Sequence, residues 1–359
     1  MQEVTIRMNK SKFKKITSAR LFLPVVCLIA VLLINVIKTP DFFNITIRNG
    51  VFYGYVIDVI NRASELVILA VGMTLVTAAS GGQDISVGAV MAVAAAVCCQ
   101  ILSGGASSVT AYQNSLILAV IAALLAAALC GAFNGFLVAK LNIQPMVATL
   151  ILYTAGRSIA AWINNNELPI VSDPTFSYFG GFIPGIPIPT PFFIAAACVL
   201  VIFLVLKFTT LGLYTQSVGI NENSSKLNGL NPAFIKFLTF VILGLCVAVA
   251  ALIKVSRLSS INYSVIAKDI EMDAILAVAL GGNSLSGGKF NMAASILGAY
   301  VIQFLTTTLY KFDVQSDALP AYKAVVVILL VVLSTPKVRE WLSAFGKKLK
   351  QGKAVKEVG

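Results

Sequence analysis

The chain has no histidine, and only 15 of its 359 residues are acidic. Without an imidazole, His-based acid/base catalysis and His metal ligation are excluded. Charged residues of both signs make up 12% of the chain, about half the roughly 25% of a water-soluble domain. A soluble fold cannot be solvated by so little charge, and a disordered chain needs the opposite composition. The six cysteines (Cys27, Cys98, Cys99, Cys130, Cys198 and Cys246) lie in apolar stretches with no C-x-x-C spacing. They read as small reduced packing residues, the alternative being a redox pair at Cys98 and Cys99.

What fills the chain is apolar: hydrophobic residues make up 58%. Ile85–Ala139 runs 55 residues without Asp, Glu, Lys or Arg, and a second uncharged stretch covers Pro174–Leu206. At ~20 apolar residues per crossing, these are stacked membrane spans. The expected fold is an all-α polytopic membrane protein of about ten helices, with short or broken ones at Gly-rich turns. The spans are Leu21–Ile37, Ala63–Ser80, Ser86–Leu102, Ser115–Ala139, Ile143–Ile163, Pro191–Phe208, Phe234–Val255, Ala274–Leu280, Met292–Leu309 and Tyr322–Leu333. The eighth is too short to cross alone and needs flanking residues or a partial crossing.

The 27 basic residues give a formal net charge of +12. Six lie in residues 1–20 and seven in residues 337–359, on either side of a transmembrane region 21–336. That is a topology signal rather than a groove-binding stripe, so no nucleic-acid partner is expected. With a cytoplasmic N-terminus and ten crossings, eighteen basic residues fall inside, among them Lys140, Lys207, Lys226, Lys236 and Lys289. Eight fall outside: Lys38, Arg48, Arg62, Lys254, Arg257, Lys268, Lys311 and Lys323. Both termini are therefore expected in the cytoplasm. The first apolar run ends at Ile37–Lys38 with no small-residue cleavage site, as in an uncleaved span.

Two loops stand out. Residues 164–190, expected outside, have no basic residue and, with Pro191, hold six of the twelve prolines. This segment should be a stiff, non-helical cap, serving as a lid, a docking surface for an external partner, or both. Residues 209–232, expected in the cytoplasm, are too polar for the bilayer. One short helix is expected there, capped by Asn221, with Glu222 in its first turn and Gly229 as terminator. Its alternatives are a solvated connector and a helix shaped to be held by a cytosolic protein.

The segment GGNSLSGGKF, residues 281–290, is not a phosphate-binding loop, because Asn283 and Phe290 stand where that motif needs Gly and Ser or Thr. No Walker A motif occurs anywhere in the chain. Gly281, Gly282, Gly287 and Gly288 instead read as a helix break, as do Gly81 and Gly82. The two segments share the pattern Gly-Gly-x-x-x-Ser-x-Gly, with Ser86 and Gly88 matching Ser286 and Gly288. An internal duplication of the kind many transporters carry is expected from it.

Asp84 lies between two apolar spans and should face protein, water or a helix N-terminus, either capping a helix that begins at residues 85–87 or touching a solute. Ser86 beside it, Asn134, Gln144 and Arg157 complete the candidate substrate path. For the two amides the alternative is helix-to-helix hydrogen bonding, and for Arg157 it is snorkelling to the external face. Hydroxyls and amides with almost no intramembrane acids suit a polyol in a wet cavity better than an ion-coupled relay. An ion-coupled secondary carrier of a small polar solute is the alternative.

The run AVGMTLVTAASGGQDISVGAVMAV (Ala70–Val93) resembles the first signature block of the ribose/galactose-type permease subunits of bacterial ABC importers. GAFNGFLVAKLNIQPMVATL (Gly131–Leu150) is similar to the second block, and DAILAVALGGNSLSGGK (Asp273–Lys289), with Glu271 nearby, to the third. The resemblance implies a ten-helix permease that pairs with a second permease subunit in the inner membrane. It also implies an external sugar-binding protein, two cytosolic ATPases, a monosaccharide cargo, no cofactor and no catalysis by this chain. It makes Gly219, Asn221, Glu222, Lys226 and Gly229 coupling-loop positions. Gln83 and Asn223–Ser225 depart from the family's usual Ile and Glu-Ala-Ala-like run. Asn49–Ala63 looks closest to the galactofuranose-type branch, which implies a heterodimer with a sister permease.

Overall fold

In a computed structural model the described residues are 21–48 and 50–334. The basic stretches at 1–20 and 337–359 lie outside them. The chain divides into two compact units, Met1–Thr307 and Thr308–Gly359. The described residues hold thirteen α-helices: α1 Phe22–Lys38, α2 Tyr55–Ser80, α3 Val87–Ser103, α4 Leu116–Ala139, α5 Pro145–Ile163, α6 Pro174–Gly180, α7 Thr190–Phe208, α8 Leu211–Ile220, α9 Glu222–Leu227, α10 Pro232–Leu258, α11 Ile270–Leu280, α12 Met292–Lys311 and α13 Leu319–Ser334. A short 3-10 helix at Pro40–Phe43 and two short strand pairs complete the set, the pairs being an antiparallel hairpin at Thr46–Arg48 and Val51–Tyr53 and a parallel pair at Ser108–Val109 and Ile170–Val171. The protein is an all-α polytopic membrane protein: six expected spans fall on long apolar helices, three on shorter apolar ones, and the eighth on the eleven-residue α11.

Six of those helices are long and apolar enough to cross a membrane by themselves: α2, α4, α5, α7, α10 and α12. In the first unit α2 is the hub, because 94% of its apolar window is buried, against 22% for α4 and 17% for α7. A helix apolar on every face is stable only when neighbours surround it. Around α2 lie α10, α7, α8 and α11, while α10 packs on α4 and α3 packs on α4 and α5. The closest seats use missing side chains. A Cβ on Gly244 of α10 would stand 2.5 Å from the Ala127 carbonyl oxygen of α4, and one on Gly131 would stand 2.5 Å from that of Phe240. Small residues let two backbones approach in this way where hydrophobicity gives no drive.

Two helix boundaries and two loops depart from expectation for physical reasons. α2 begins at Tyr55 rather than near Ala63, since Asp58 and Arg62 pair at 2.8 Å one turn apart and carry the helix beyond its apolar window. α10 runs on to Leu258, so Lys254 and Arg257 belong to a helix and not to an external loop. The Pro-rich segment is not free of helix: Asp173 Oδ1 accepts from the Thr175 amide at 2.8 Å and caps α6, with Pro174 at the first helical position. Pro suits that position because its missing N–H is unneeded there. The polar stretch after α7 likewise holds two helices, α8 and α9, where one was expected. All six cysteines carry free thiols.

Candidate functional site

Helix α2 stops at Gly81, which takes the left-handed conformation (φ 65°) and donates its N–H to Thr77 O. The next residues run without helix to Val87. Gly82 passes the first turn of α5 so tightly that a Cβ would lie 2.7 Å from Pro145 Cγ. The Ile85 amide donates to Thr149 Oγ1 of α5 at 3.2 Å. Asp84 Oδ1 accepts from the Ser86 amide at 2.8 Å and from Ser86 Oγ at 2.6 Å. Asn134 Nδ2, from α4, donates to Asp84 Oδ2 at 3.2 Å and to Ser86 Oγ at 2.9 Å.

Asp84, Ser86, Asn134 and Thr149 are all buried. Asp84 is thus not the cap of α3: Ser86 holds that position, and Asp84, two residues before it, accepts from the Ser86 amide. The carboxylate gathers donors at the positive end of α3, which is how a buried anion is tolerated. Asn134 Oδ1 remains buried without a partner.

A second break precedes α11. After α10 the chain turns at Ser259 (φ 51°), runs without helix, and turns twice more at Ala267 (φ 53°) and Asp269 (φ 63°). Arg157 Nη1, two-thirds along α5, donates to the carbonyls of Tyr263 at 2.8 Å and Ile266 at 2.9 Å. Its charge therefore serves backbone freed by the break, not the external face. Glu271, in the first turn of α11, is 2% exposed, and its Oε2 has no partner. That oxygen lies against Gly88 of α3, where a Cβ would overlap it and stand 2.5 Å from Ala267 O. Gly88 is therefore a close-contact residue inside a helix, not a turn.

The two Gly-rich segments meet. Gly288 (φ 95°) donates its amide to Ala78 O in the last turn of α2 at 2.9 Å, and Gln83 Nε2 donates to Leu285 O at 3.0 Å. Gly287 packs within 3.2 Å of Gly219 O and 3.1 Å of Gly81 Cα, measured from its absent Cβ. Gly219, near the end of α8, sits between them: a Cβ there would overlap Ala78 O and lie 2.6 Å from Gly288 N.

The chain continues from Gly219 directly into α9. There Asn221 Oδ1 accepts from the Ser224 amide at 2.9 Å, Glu222 pairs with Lys236 of α10 at 2.6 Å, and Gly229 turns the chain at φ 78°. Leu227 and Lys226 are exposed on this helix, Leu227 at 90%. Gln144 lies exposed before α5 and outside the Asp84 cluster.

One charged group escapes sequence reasoning. Glu65 of α2 is 2% exposed and pairs with Arg257 at 2.5 Å and Lys254 at 3.1 Å, both on α10. Arg257 also donates to Gly180 O at 3.1 Å and to Asn61 Oδ1 at 2.8 Å. The signal was present: an acid three residues into an apolar run has to find a cation. Nearby, Tyr112 OH lies 2.7 Å from Thr175 Oγ1 of α6, and burial pushes its phenol above the ordinary range.

Residues 55–335 match the family described as branched-chain amino acid transport system / permease component. The chain is 38% identical over 313 residues to the galactofuranose transporter permease protein YtfT of Escherichia coli (strain K12), covering 87% of this chain and 89% of that one. It is 36% identical over 348 residues to the fructose import permease protein FruF of Bifidobacterium longum (strain NCC 2705), covering 95% and 94%. Against the ribose import permease protein RbsC of E. coli (strain K12) identity is 35% over 316 residues, covering 86% and 93%. No solved structure matches the chain.

Proposed function

The chain belongs to this permease-component family, and on that premise we propose how its parts divide the work of transport. It is the membrane-spanning permease subunit of an ATP-binding-cassette sugar importer. The relatives' names support a monosaccharide as cargo. ATP is hydrolysed by separate cytosolic subunits that hold α9, and a loaded binding protein docks on the external face. A second permease subunit completes the path in the bacterial cytoplasmic membrane, with both termini of this chain in the cytoplasm. Nothing found favours an ion-coupled carrier.

One observation supports this division above the others: Gly219 is seated between Ala78 and Gly288. A displacement of α8 and α9 by an ATPase therefore bears at once on the break before α3 and on the loop after α11. Alternating access follows if those two half-buried breaks shift together. The path is lined by acceptors in need of donors. We assign Asn134 Oδ1 and Glu271 Oε2, both buried and unpartnered, to hydroxyls of the passing sugar. Asp84 and Ser86 hold the break before α3, and Arg157 the break before α11, in shape around that path.

Reconstitution in vesicles tests the reading. With its ATPase, sister subunit and binding protein the chain should accumulate sugar only when ATP is supplied, and alone it should accumulate none. Concentrative uptake driven by an ion gradient without ATPase would overturn it. Glu222→Lys combined with Gly229→Pro replaces the 2.6 Å salt bridge to Lys236 by two like charges and forbids φ 78°. Uptake should then fall away from ATP hydrolysis while membrane insertion persists; wild-type uptake would refute the role of α9.

A further inference from the structure

Helix α10 is tied by ion pairs at both of its ends, to α9 at one and to α2 at the other. Its 27 residues make a rod of about 40 Å, long enough to cross the bilayer unaided. At its first turn Asn231 Oδ1 caps the Phe234 amide at 3.1 Å and Lys236 holds Glu222 of α9 at 2.6 Å. At its last turns Lys254 and Arg257 close on Glu65 of α2.

The same Arg257 reaches the Pro-rich segment through Gly180 O, at the end of α6. Gly180 lies so close to α10 that a Cβ there would overlap the Arg257 amide and stand 2.6 Å from Ile253 O. Between the two ends no proline interrupts α10 after Pro232, so the helix is continuous. Whatever moves α6 or its seat therefore moves the residue that grips α9, through one rigid element.

We propose that α10 is the rod that couples the external cap to the ATPase-facing helix, and that Glu65 is the positioning residue that anchors it. The inference rests on the assignments of α9 to the ATPase and of the Pro-rich segment to the binding protein made above. Glu65 touches neither sugar nor partner. It fixes where the end of α10, and with it α6, stands relative to α2. A cluster of one anion and two cations keeps that register because any shift strands a buried charge. Arg257, with donors spent on Glu65, Gly180 and Asn61, is the hub through which the cap is held.

The test uses the whole importer in lipid nanodiscs with its ATPase and binding protein. It reads basal ATP hydrolysis, hydrolysis stimulated by loaded binding protein, and the Kd of that protein. Glu65→Gln should leave basal hydrolysis unchanged and cut stimulation roughly tenfold, in the range of ordinary allosteric coupling. Combining it with Lys236→Met should lose no more stimulation than the worse single variant, since both cut the same rod. Stimulation at wild-type level in Glu65→Gln, or losses that multiply in the double variant, would overturn the proposal.

Should Glu65→Gln fail to assemble, Lys254→Met keeps the Arg257–Glu65 pair and removes only the partner nearer solvent. Stimulation should then fall while basal hydrolysis holds, and an unchanged ratio would overturn the proposal equally. A wild-type complex with no stimulation at all would fail the proposed function instead, so the two failures are distinguishable.

Discussion

Residues 81–88 and 281–288 carry the same four residue types at the same spacing, yet no matching pair does the same job. Gly81 is left-handed at φ 65°, whereas Gly281 is helical at φ −63° and closes on the Ala294 backbone, 2.7 Å from its absent Cβ. Gly82 lies outside the left-handed region and Gly282 is inside it at φ 71°. Ser86 begins helix α3 with its hydroxyl buried in the Asp84 cluster, while Ser286 is exposed in a turn. Gly88 is inside a helix and Gly288 sits at φ 95°. The expected duplication therefore fails at this motif. Glycine is needed in both strings, but for different reasons: room at Gly88 and Gly281, backbone handedness at Gly81, Gly282, Gly287 and Gly288. A pattern of residue types cannot tell the two apart.

That contrast breaks first at Gly88 and Gly288, where the reasons differ most. Gly88→Val puts carbon into the Glu271 carboxylate and the Ala267 carbonyl, both fixed by α11 and its approach. The cost should exceed the ~1–3 kcal/mol of ordinary overpacking, since a backbone oxygen cannot yield. Purified protein should show a large drop in unfolding temperature, and Gly88→Ala a smaller one.

Gly288→Ala meets a different obstacle. Its nearest neighbour is Cγ1 of the Ile220 side chain at 3.1 Å, which has only tenths of an ångström to give, so the main penalty is the left-handed backbone at about 1–2 kcal/mol. Asparagine, which tolerates that conformation, should recover part of the loss at position 288 and none at position 88. Equal responses to asparagine at the two positions would erase the distinction.

How far the molecule was legible follows from the range of each interaction. Asn221, Glu222 and Gly229 set α9 through contacts within three or four residues, and the sequence placed that helix within a residue of its bounds. The six long apolar helices were legible in their existence, though not at the start of α2, because about twenty residues of hydrocarbon announce themselves. The helices α6 and α8 were not: the proline count hid an Asp-Pro cap, and polarity hid a helix seated on α2. Least legible were contacts made across the fold. Nothing local links Glu65 to Arg257, Arg157 to the Tyr263 carbonyl, or Gly219 to Ala78. Of the candidate residues Asp84, Ser86 and Asn134 come together, Arg157 stands at the break before α11, and Gln144 stands apart.

The matched serines give the finer contrast and the smallest effects. Ser86 Oγ both donates to Asp84 and accepts from Asn134, so Ser86→Ala takes one bond from a carboxylate that is itself 4% exposed and one from the Asn134 amide. Leaving buried polar groups short of partners costs ~1–3 kcal/mol, and thermal denaturation with sugar uptake should register it clearly. Ser286 offers its neighbours only backbone: its amide donates a 3.2 Å bond to Ser284 Oγ, and its carbonyl faces Gly81. Ser286→Ala leaves those main-chain groups in place, so stability should stay within about 0.5 kcal/mol of the parent. A loss at Ser286 comparable to that at Ser86 would mean that its hydroxyl acts in a state of the transport cycle other than this one. The two serines would then be equivalents in function despite their different backbones, and the case for duplication would reopen.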